Sequence, residues 1–290
     1  MNSTLLLAVG LAAGFNSARP LEFDYLKTVA NRLDVVRHGE PLPSPLPFME
    51  RLVAAGLLPA RSAPAAGSRT SLVTTALDVL TRKVEYLSDP SALRLAFAAY
   101  YNFKEAHRDK VRNPYLYFVD FGLDSHTPRG YVFDMETLSL VDGPFTVAHG
   151  RGSVSPSDDV PTWFSNRNGS NATSLGLYLT QETYDFRGTS NGAPYSSIGL
   201  RVTGVSGRFN SAARSRGIVV HGAPYVTPYK AGRSEGCPAM EPDRAEWLIP
   251  RISNGGLMFL FSPHDSQWIR EESRVLDDRS QGTLAGLIGG

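Results

Sequence analysis

Cys237 and His221 are the residues of this chain whose types and setting could support catalysis. Cys237 is the only cysteine, so it forms no internal disulfide, and structural zinc sites normally use several cysteines. A lone thiol is then either an inert core residue or a nucleophile. Serine and glycine precede it and proline follows it, which is typical of a turn, and turns lie at the surface within reach of a substrate. This setting favours the nucleophile.

His221 strengthens that interpretation. It follows the apolar run 218–220, which predicts a buried strand with the imidazole at its end, and Gly222 then lets the backbone turn at once. The attacking form of cysteine is the thiolate, and a free thiol has a pKa of about 8.5. A histidine in contact lowers the thiol pKa and can later protonate a leaving amine. The alternative is a core histidine with satisfied hydrogen bonds beside an unrelated thiol.

The same residues carry a family resemblance. The His221–Gly222 strand end, followed by the loop 232–239 with the sequence GRSEGCPA, resembles the catalytic motif of the L,D-transpeptidases, the YkuD-like enzymes that cross-link murein. The longer loop is similar to that of one branch, the murein L,D-transpeptidase catalytic-domain family. Segments that resemble its recurring motifs follow in order across residues 114–261: VDFG at 119–122, VAHGRGS at 147–153, FSN at 164–166, SLGLYLT at 174–180 and RFNSAARSRGIVVHGA at 208–223.

The resemblance implies a cysteine acyltransferase of the bacterial cell wall. Cys237 would attack a peptidoglycan stem peptide at the carbonyl of a diamino acid followed by D-alanine, with His221 as the base. Ser234 and Gly236 would shape the nucleophile loop, although a tight turn alone also calls for such residues. D-Alanine release leaves a thioester, which an amine of a second stem or water resolves. The alternatives are an L,D-carboxypeptidase with the same cysteine and histidine and a peptidoglycan-binding module without catalysis.

Two positions depart from the commoner pattern of the wider group, which has histidine before the loop glycine and arginine two places after the cysteine. Here these positions hold Glu235 and Ala239. Arg233 is the candidate to stand in for the missing arginine. A carboxylate at position 235 could change the ion pair of His221 and Cys237 or raise the thiol pKa, which is the reason for keeping the binding-module alternative.

Four residues are predicted to contact substrate, namely His149, Arg233, Gly222 and Asn166. His149 ends a predicted strand as His221 does, and it either lines the substrate groove or makes structural hydrogen bonds. For Asn166 the alternative is the capping of a loop. The other histidines lack partners at the spacing of metal ligands, so we predict neither a metal nor a cofactor.

The composition is that of an ordinary globular protein, with 42% hydrophobic and 20% charged residues. The formal net charge of +1 argues against nucleic acid or an anionic membrane as a partner, and peptidoglycan stem peptides are the partner that we predict. No apolar run reaches the ~18 residues that indicate a membrane span. The sequence makes no prediction of the oligomeric state.

The N-terminus bears on location. Residues 5–15 form an apolar run with the length found in signal peptides, but no lysine or arginine precedes Arg19, so a buried helix is the alternative. A murein substrate lies outside the cytoplasmic membrane. The functional interpretation therefore predicts the cell envelope, either periplasmic or extracellular.

Hydrophobic periodicity predicts an α+β protein, with a β-rich sandwich or barrel-like catalytic domain and an N-terminal helical region. Helices are expected over 72–87 and, after an N-cap and proline at 88–90, up to Arg108, and both should pack against the β-rich part. Short helices are predicted at 210–215 and 242–248. The predicted strands are 115–121, 130–134, 145–148, 175–179, 198–202, 218–220 and 257–261. The predicted divisions are a signal peptide or helix at 1–20, a helical region at 21–108, the catalytic domain at 109–265 and a C-terminal tail at 266–290.

Overall fold

The computed structural model describes residues 69–274. The predictions for residues 1–68, among them the signal peptide, and for residues 275–290 lie outside this described part. The helices α1, α2 and α3 are Arg69–Leu80, Ala92–Ala106 and Pro242–Ile252. The strands β1 to β12 are, in chain order, Tyr115–Asp120, Gly130–Asp134, Ser139–Phe145, His149–Gly150, Gly176–Ser190, Ala193–Gly204, Val219–Gly222, Val226–Thr227, Lys230–Ala231, Arg233–Ser234, Ala239–Met240 and Leu257–Phe261.

One sheet of eight strands dominates the fold, in the order β11-β7-β6-β5-β12-β1-β2-β3. Neighbouring strands are antiparallel except for two parallel pairs, β1 with β12 and β7 with β11. Strands β1 and β12 are apolar and almost wholly buried, as expected for strands that are covered on both faces. Two small sheets, β4 with β10 and β8 with β9, accompany the large one in the described residues. The predicted α+β class with a β-rich catalytic region is confirmed.

Helix α2 packs against this sheet. The ring of Phe97 meets that of Phe133 in β2 edge to face, with 5.6 Å between the centroids. At the start of the helix the Oδ1 atom of Asp89 accepts hydrogen bonds from the N–H and the hydroxyl of Ser91, at 2.7 and 2.6 Å. Pro90 lies between them and precedes the N-cap residue Ser91, so the prediction of proline at the first helical position is wrong and the helix starts two residues later, at Ala92. The expected packing of this helix on the β-rich part is confirmed.

Helix α1 is shorter than predicted, because the chain leaves it at Leu80 and passes through a single 3-10 turn into extended backbone. Contacts with the sheet hold the residues that follow. The N–H of Tyr86 donates to the hydroxyl of Tyr131 at 2.9 Å, and the N–H of Ser88 donates to the carboxylate of Asp120 at 2.7 Å. These bonds satisfy backbone donors that a longer helix would have used internally.

The strand predicted at 145–148 is wrong, since β3 ends where this run begins and β4 starts after it. The guanidinium of Arg129 donates to the carbonyl of Val147 at 3.0 and 2.7 Å. The N–H of Ala148 donates to the carbonyl of Ala239 at 2.8 Å. The backbone of this run is therefore satisfied by a side chain and a single bridge instead of a strand ladder.

The helix predicted at 210–215 is a run of turns. The side chain of Asn210 accepts from the N–H of Ser206 at 2.8 Å and donates to the carbonyl of Leu177 at 2.9 Å. An asparagine that bonds to nearby backbone offers the chain an alternative to a helix, which explains the difference.

Strands β5 and β6 form a hairpin that is much longer than predicted, with 15 and 12 residues. The predictions at 175–179 and 198–202 cover only its buried base, because the outer part alternates with exposed polar side chains. Asn191 and Gly192 connect the strands with φ values of 51° and 81°, which fits a two-residue hairpin turn. This Asn-Gly pair was the signal in the sequence that could have revealed the hairpin.

Residues 266–274, within the predicted C-terminal tail, are helical. Trp268 is fully buried there, with its ring centroid 5.8 Å from those of Phe259 and Phe261. This part of the tail is thus anchored to the core. Among residues 69–274 no helix has the length and apolar character needed to cross a membrane.

Candidate active site

The loop that carries Cys237 runs from β10 to β11 and is closed by its own serine. The hydroxyl of Ser234 donates to the carbonyl of Cys237 at 2.6 Å and accepts from the N–H of Gly236 at 3.2 Å. Gly236 has a φ of 120°, which L side chains rarely adopt. A Cβ there would also lie 2.9 Å from Ile218 and 3.0 Å from the carbonyl of Ala172. Serine and glycine at these positions therefore determine the shape of the loop.

The thiol of Cys237 is partly buried, and its sulfur lies 3.9 Å from the carbonyl oxygen of Gly217. Burial raises the pKa of the Cys237 thiol to about 11. A hydrogen bond from the Val219 N–H and the charge of Arg216 lower this pKa, and the Glu235 carboxylate raises it. The thiol is therefore protonated at neutral pH. The sequence argument predicted a lowered thiol pKa. The pKa is raised instead, because desolvation of the thiolate outweighs the favourable contacts.

His221 lies on β7, the strand that pairs with β11 after the Cys237 loop. In the parallel pairing of β11 with β7, Ala239 is opposite His221. The sulfur of Cys237 lies 3.9 Å from the carbonyl oxygen of Gly217, two residues before this strand begins. The hydrogen bonds of the described residues include none between the thiol and the imidazole, so the pairing of β11 with β7 is what relates the two groups.

The imidazole of His221 is held in one tautomer. Its Nδ1 lies 3.0 Å from the carbonyl oxygen of Gly222, and a carbonyl can only accept, so Nδ1 carries the hydrogen and Nε2 keeps a lone pair. The ring of Phe186, from the long hairpin, stacks on it with 4.1 Å between centroids and 14° between planes. Burial lowers the pKa of His221 to about 4, against the hydrogen bond to Gly222. The imidazole of His221 is therefore neutral and oriented, with a lone pair at Nε2.

Arg216 is a site residue that the sequence argument did not single out, although it lies within the motif RGIVVHGA. It precedes the glycine whose carbonyl meets the thiol, and its charge lowers the thiol pKa. Arg216 also binds the stretch 165–174, which contains Ala172 next to Gly236. Its guanidinium donates to Ser165 O at 2.8 Å, Ala172 O at 2.6 Å, Ser170 Oγ at 3.1 Å and Ser174 Oγ at 3.3 Å.

A comparison with protein families identifies the domain that contains these residues. The model of the L,D-transpeptidase catalytic domain matches residues 85–261, which is more than half of the chain. The chain belongs to this family. The match includes α2, all twelve strands and the nucleophile loop. A search of curated proteins finds no match for this L,D-transpeptidase domain.

Solved L,D-transpeptidases resemble the domain at low identity. An L,D-transpeptidase from Mycobacterium smegmatis is 18% identical over 51% of this chain and 58% of its own, with a TM-score of 0.32. One from Mycobacterium tuberculosis H37Rv is 20% identical over 51% and 57%, with a TM-score of 0.30. One from Xylanimonas cellulosilytica is 16% identical over 54% and 68%, with a TM-score of 0.32. This chain thus spans less than two thirds of the first two, and its membership follows from the family match.

Arg233 of the L,D-transpeptidase domain points away from the thiol. Its guanidinium donates to the Ser125 hydroxyl at 2.8 Å, to the Asp158 carbonyl at 2.9 Å and to the Asp159 carboxylate at 2.8 Å. Its partners therefore lie in a neighbouring loop. The guanidinium whose charge lowers the pKa of the Cys237 thiol is that of Arg216.

His149 is fully buried, so it does not line a groove in this structure. The guanidinium of Arg129, also fully buried, donates to its Nδ1 at 2.8 Å, and the ring of Phe121 meets it edge to face at 6.2 Å. Burial, followed by the charges of Arg129 and Arg233, lowers the pKa of His149 to about 2. Of the two alternatives that the sequence left open, the structural histidine fits this geometry.

Asn166 joins two loops. Its amide donates to the carbonyl of Arg208 at 2.9 Å and accepts from the N–H of Ala212 at 3.0 Å, which is the capping alternative. Gly222 follows the base, and its N–H donates to the Ser197 hydroxyl at 3.0 Å. A Cβ on Gly222 would lie 2.9 Å from the backbone of Pro242, so glycine is needed where α3 packs on β7.

Glu235 lies on the outer side of the nucleophile loop. Its carboxylate forms an ion pair with Arg151 at 3.2 Å, and both side chains are mostly exposed. Such a surface pair contributes about 0–1 kcal/mol to stability. Within residues 69–274 no three histidine, cysteine, aspartate or glutamate side chains are grouped so that they could hold a metal ion.

Proposed function

We propose that this chain is a cysteine L,D-transpeptidase that acts on peptidoglycan stem peptides, with Cys237 as the nucleophile and His221 as the base. The observation that carries the proposal is the parallel pairing of β11, which follows the Cys237 loop, with β7, which holds His221. The sulfur of Cys237 lies 3.9 Å from the carbonyl oxygen of Gly217, two residues before β7, and the imidazole of His221 has its lone pair at Nε2. Family membership supports the reaction type, which is transfer of an acyl group between stem peptides.

In the first half-reaction the sulfur of Cys237 attacks the carbonyl carbon that precedes D-alanine, and the thiol proton passes to Nε2 of His221. The tetrahedral intermediate then collapses, the C–N bond breaks, and His221 returns the proton to the leaving nitrogen. D-Alanine departs and a thioester remains on Cys237. In the second half-reaction an amine of another stem attacks the thioester and restores the thiol.

The resting pair is neutral, which affects the order of these events. Because burial raises the pKa of Cys237 to about 11 and lowers that of His221 to about 4, no preformed ion pair stores the proton on the imidazole. The proton therefore moves during the attack, in the manner of a serine nucleophile with a histidine base. The substrate must also bring the thiol and the imidazole into contact, since they share no hydrogen bond beforehand.

The developing oxyanion needs a donor, and we assign this role to the N–H of Cys237. The N–H of Gly236 is engaged by the Ser234 hydroxyl at 3.2 Å. The N–H of Cys237 has no acceptor among the described residues. A backbone donor held in place by a closed loop stabilises the oxyanion without reorganisation.

Of the residues predicted to contact substrate, Gly222 keeps a place beside the base in this proposal. The other three, His149, Arg233 and Asn166, hold the surrounding loops. Arg216 joins them as the residue that positions Ala172 under the nucleophile loop and favours the thiolate. In this proposal Cys237 and His221 react with the substrate, and the other residues hold the surrounding loops in place.

The test is acylation by purified muropeptides with tetrapeptide stems. The full-length protein should release D-alanine and gain the mass of the acyl donor on Cys237, and Cys237→Ala should do neither while keeping its unfolding transition. An added amine acceptor separates the activities, because a transpeptidase forms a cross-linked product and a carboxypeptidase only hydrolyses the thioester. Release of D-alanine by the folded alanine variant at the rate of the native protein would refute the assignment.

A peptidoglycan-binding module is the second candidate, and the raised pKa of the Cys237 thiol is the observation that favours it. In that case the folded native protein binds muropeptides but releases no D-alanine and acquires no acyl mass. The same incubation therefore decides between the two functions.

Location and division follow from the function. A peptidoglycan substrate requires the cell envelope, so we propose export, with a signal peptide within residues 1–20. We also propose a helical region at 21–108, a catalytic domain at 109–265 and a C-terminal tail at 266–290, with α2 docked on the catalytic sheet through Phe97. Intact-mass analysis of the protein from native envelopes tests the export, because an uncleaved cytosolic chain would contradict it.

A further inference from the structure

A surface hollow of about 300 Å³ opens beside Trp163, within the stretch 163–170. Ser165, Arg167, Asn168, Gly169 and Ser170 form the rest of its wall. We propose that this hollow binds a sugar ring of the peptidoglycan glycan strand, a neutral N-acetylated hexosamine. The choice of sugar rests on the proposed function, since a stem peptide reaches the thiol together with the glycan that carries it.

The first support is the exposed indole of Trp163. This side chain is 66% exposed, whereas Trp268 is fully buried in the core. Its backbone is fixed, because the N–H groups of Thr162 and Trp163 both donate to the carbonyl of Ser153, at 2.9 and 3.0 Å. A flat apolar face on a fixed backbone, beside polar groups, suits the apolar C–H face of a pyranose ring.

The second support is a set of free donors at the edge of that face. The guanidinium of Arg167 and the amide nitrogen of Asn168 have no acceptor among the described residues, and the oxygen of Asn168 accepts only from the adjacent Gly169 at 3.1 Å. Sugar hydroxyls and an acetamido oxygen are acceptors for such groups. An aromatic platform with several convergent polar groups is the usual composition of a small-molecule site.

The third support is the link to the nucleophile loop. The hydroxyl of Ser170 accepts from Arg216 at 3.1 Å, and the carbonyl of Ala172 accepts from the same guanidinium at 2.6 Å. The Ala172 carbonyl lies 3.0 Å from the position of a Cβ on Gly236, next to Cys237. The wall of the hollow thus continues directly into the support of the thiol. A glycan held by Trp163 would keep its attached stem peptide close to the nucleophile.

The experiment uses the full chain with Cys237→Ala, so that binding is measured without turnover. Oligomers of β-1,4-linked N-acetylglucosamine, which carry no peptide, are titrated while the three tryptophan indole N–H signals are followed by ¹⁵N NMR. The Trp163 signal, assigned with Trp163→Phe, should shift saturably in the millimolar range. Calorimetry on Trp163→Ala should show binding weakened by about tenfold, the order expected for loss of one aromatic contact.

Trp247→Ala is the matched control, because Trp247 is also exposed, at 45%, but lies on α3 and does not line the hollow. This variant should bind the oligomers like the parent, and Arg167→Ala should bind them a few-fold more weakly. Unchanged oligomer binding by Trp163→Ala would overturn the proposal. The absence of a saturable shift of the Trp163 signal in the folded Cys237→Ala parent would overturn it as well. These outcomes do not depend on D-alanine release, so they are separate from a failure of the proposed function.

Discussion

Two histidine–glycine strand ends flank the nucleophile loop, VAHG at 147–150 and VVHG at 219–222. Strand β4, which contains His149, pairs in parallel with β10 at the start of the loop. Strand β7, which contains His221, pairs in parallel with β11 at the end of the loop. Both histidines are buried and both have lowered pKa values. Their Nδ1 atoms, however, have opposite roles in hydrogen bonding. His149 accepts at Nδ1 from Arg129, whereas His221 donates from Nδ1 to the carbonyl of Gly222.

The opposite bonds produce opposite tautomers. A guanidinium can only donate, so Nδ1 of His149 holds the lone pair and its Nε2 carries the hydrogen. That Nε2 is buried with no hydrogen-bond partner among the described residues. His221 instead has its lone pair at Nε2. Two nearly identical sequence segments thus yield one structural histidine and one candidate base, and a single neighbouring group decides between the two states.

The largest expected effect comes from exchanging each histidine for asparagine. His221→Asn should lower kcat/KM for D-alanine release by about 10³-fold, within the range for loss of a general base. His149→Asn keeps an acceptor close to the position of Nδ1, so the folded variant should stay within a few-fold of the native rate. The native rate should also fall below pH 4, because a protonated His221 can no longer accept the thiol proton and its pKa is about 4. An equal loss in folded His149→Asn would abolish the distinction.

The second-largest effect is expected for Arg129, whose guanidinium donates to Nδ1 of His149. Arg129→Met leaves the carbonyls of Leu123 and Val147 and the Nδ1 atom of His149 without a donor. Each unsatisfied buried group costs about 1–3 kcal/mol, so we expect the free energy of unfolding in urea to fall by about 3 kcal/mol or more.

Arg208→Met is the control for this measurement. Arg208 pairs with Glu271 at the surface, where an ion pair contributes about 0–1 kcal/mol. If the two methionine variants lost equal stability, the buried cluster around His149 would not have the structural weight that we assign to it.

The smallest effect separates the two arginines near the loop. Because burial raises the pKa of the Cys237 thiol to about 11, its alkylation by iodoacetamide should still accelerate above pH 9. The charge of Arg216 favours the thiolate, so Arg216→Gln should slow alkylation at a given pH by up to about tenfold, which corresponds to one pKa unit. Arg233→Gln should alkylate like the native protein. The reverse order of the two variants would restore Arg233 as the stand-in arginine.

The sequence determined the β-rich centre of the fold well. Strands β2 and β12 were predicted to the residue, because continuous apolar runs bounded by turn residues leave few alternatives. The long hairpin was underestimated, since its outer half pairs through the backbone while its side chains stay polar. The run 145–148 is as apolar as a strand, but its backbone bonds were taken by Arg129 and a bridge to Ala239. The hydrophobic periodicity of the sequence does not reveal these hydrogen-bond partners of the backbone.

At the candidate site, residue types and the family resemblance predicted the thiol, the histidine and the turn residues Ser234 and Gly236. These are local properties, because a lone cysteine in a turn and a histidine after an apolar run are visible without a fold. Only the tertiary structure decided the protonation states and the roles of the arginines. Phe186 reaches His221 from β5, Arg216 binds the loop that contains Ala172, and Arg129, just before β2, reaches His149. Burial and hydrogen bonds between distant residues determine pKa values and tautomers, and the order of residues along the chain does not specify them.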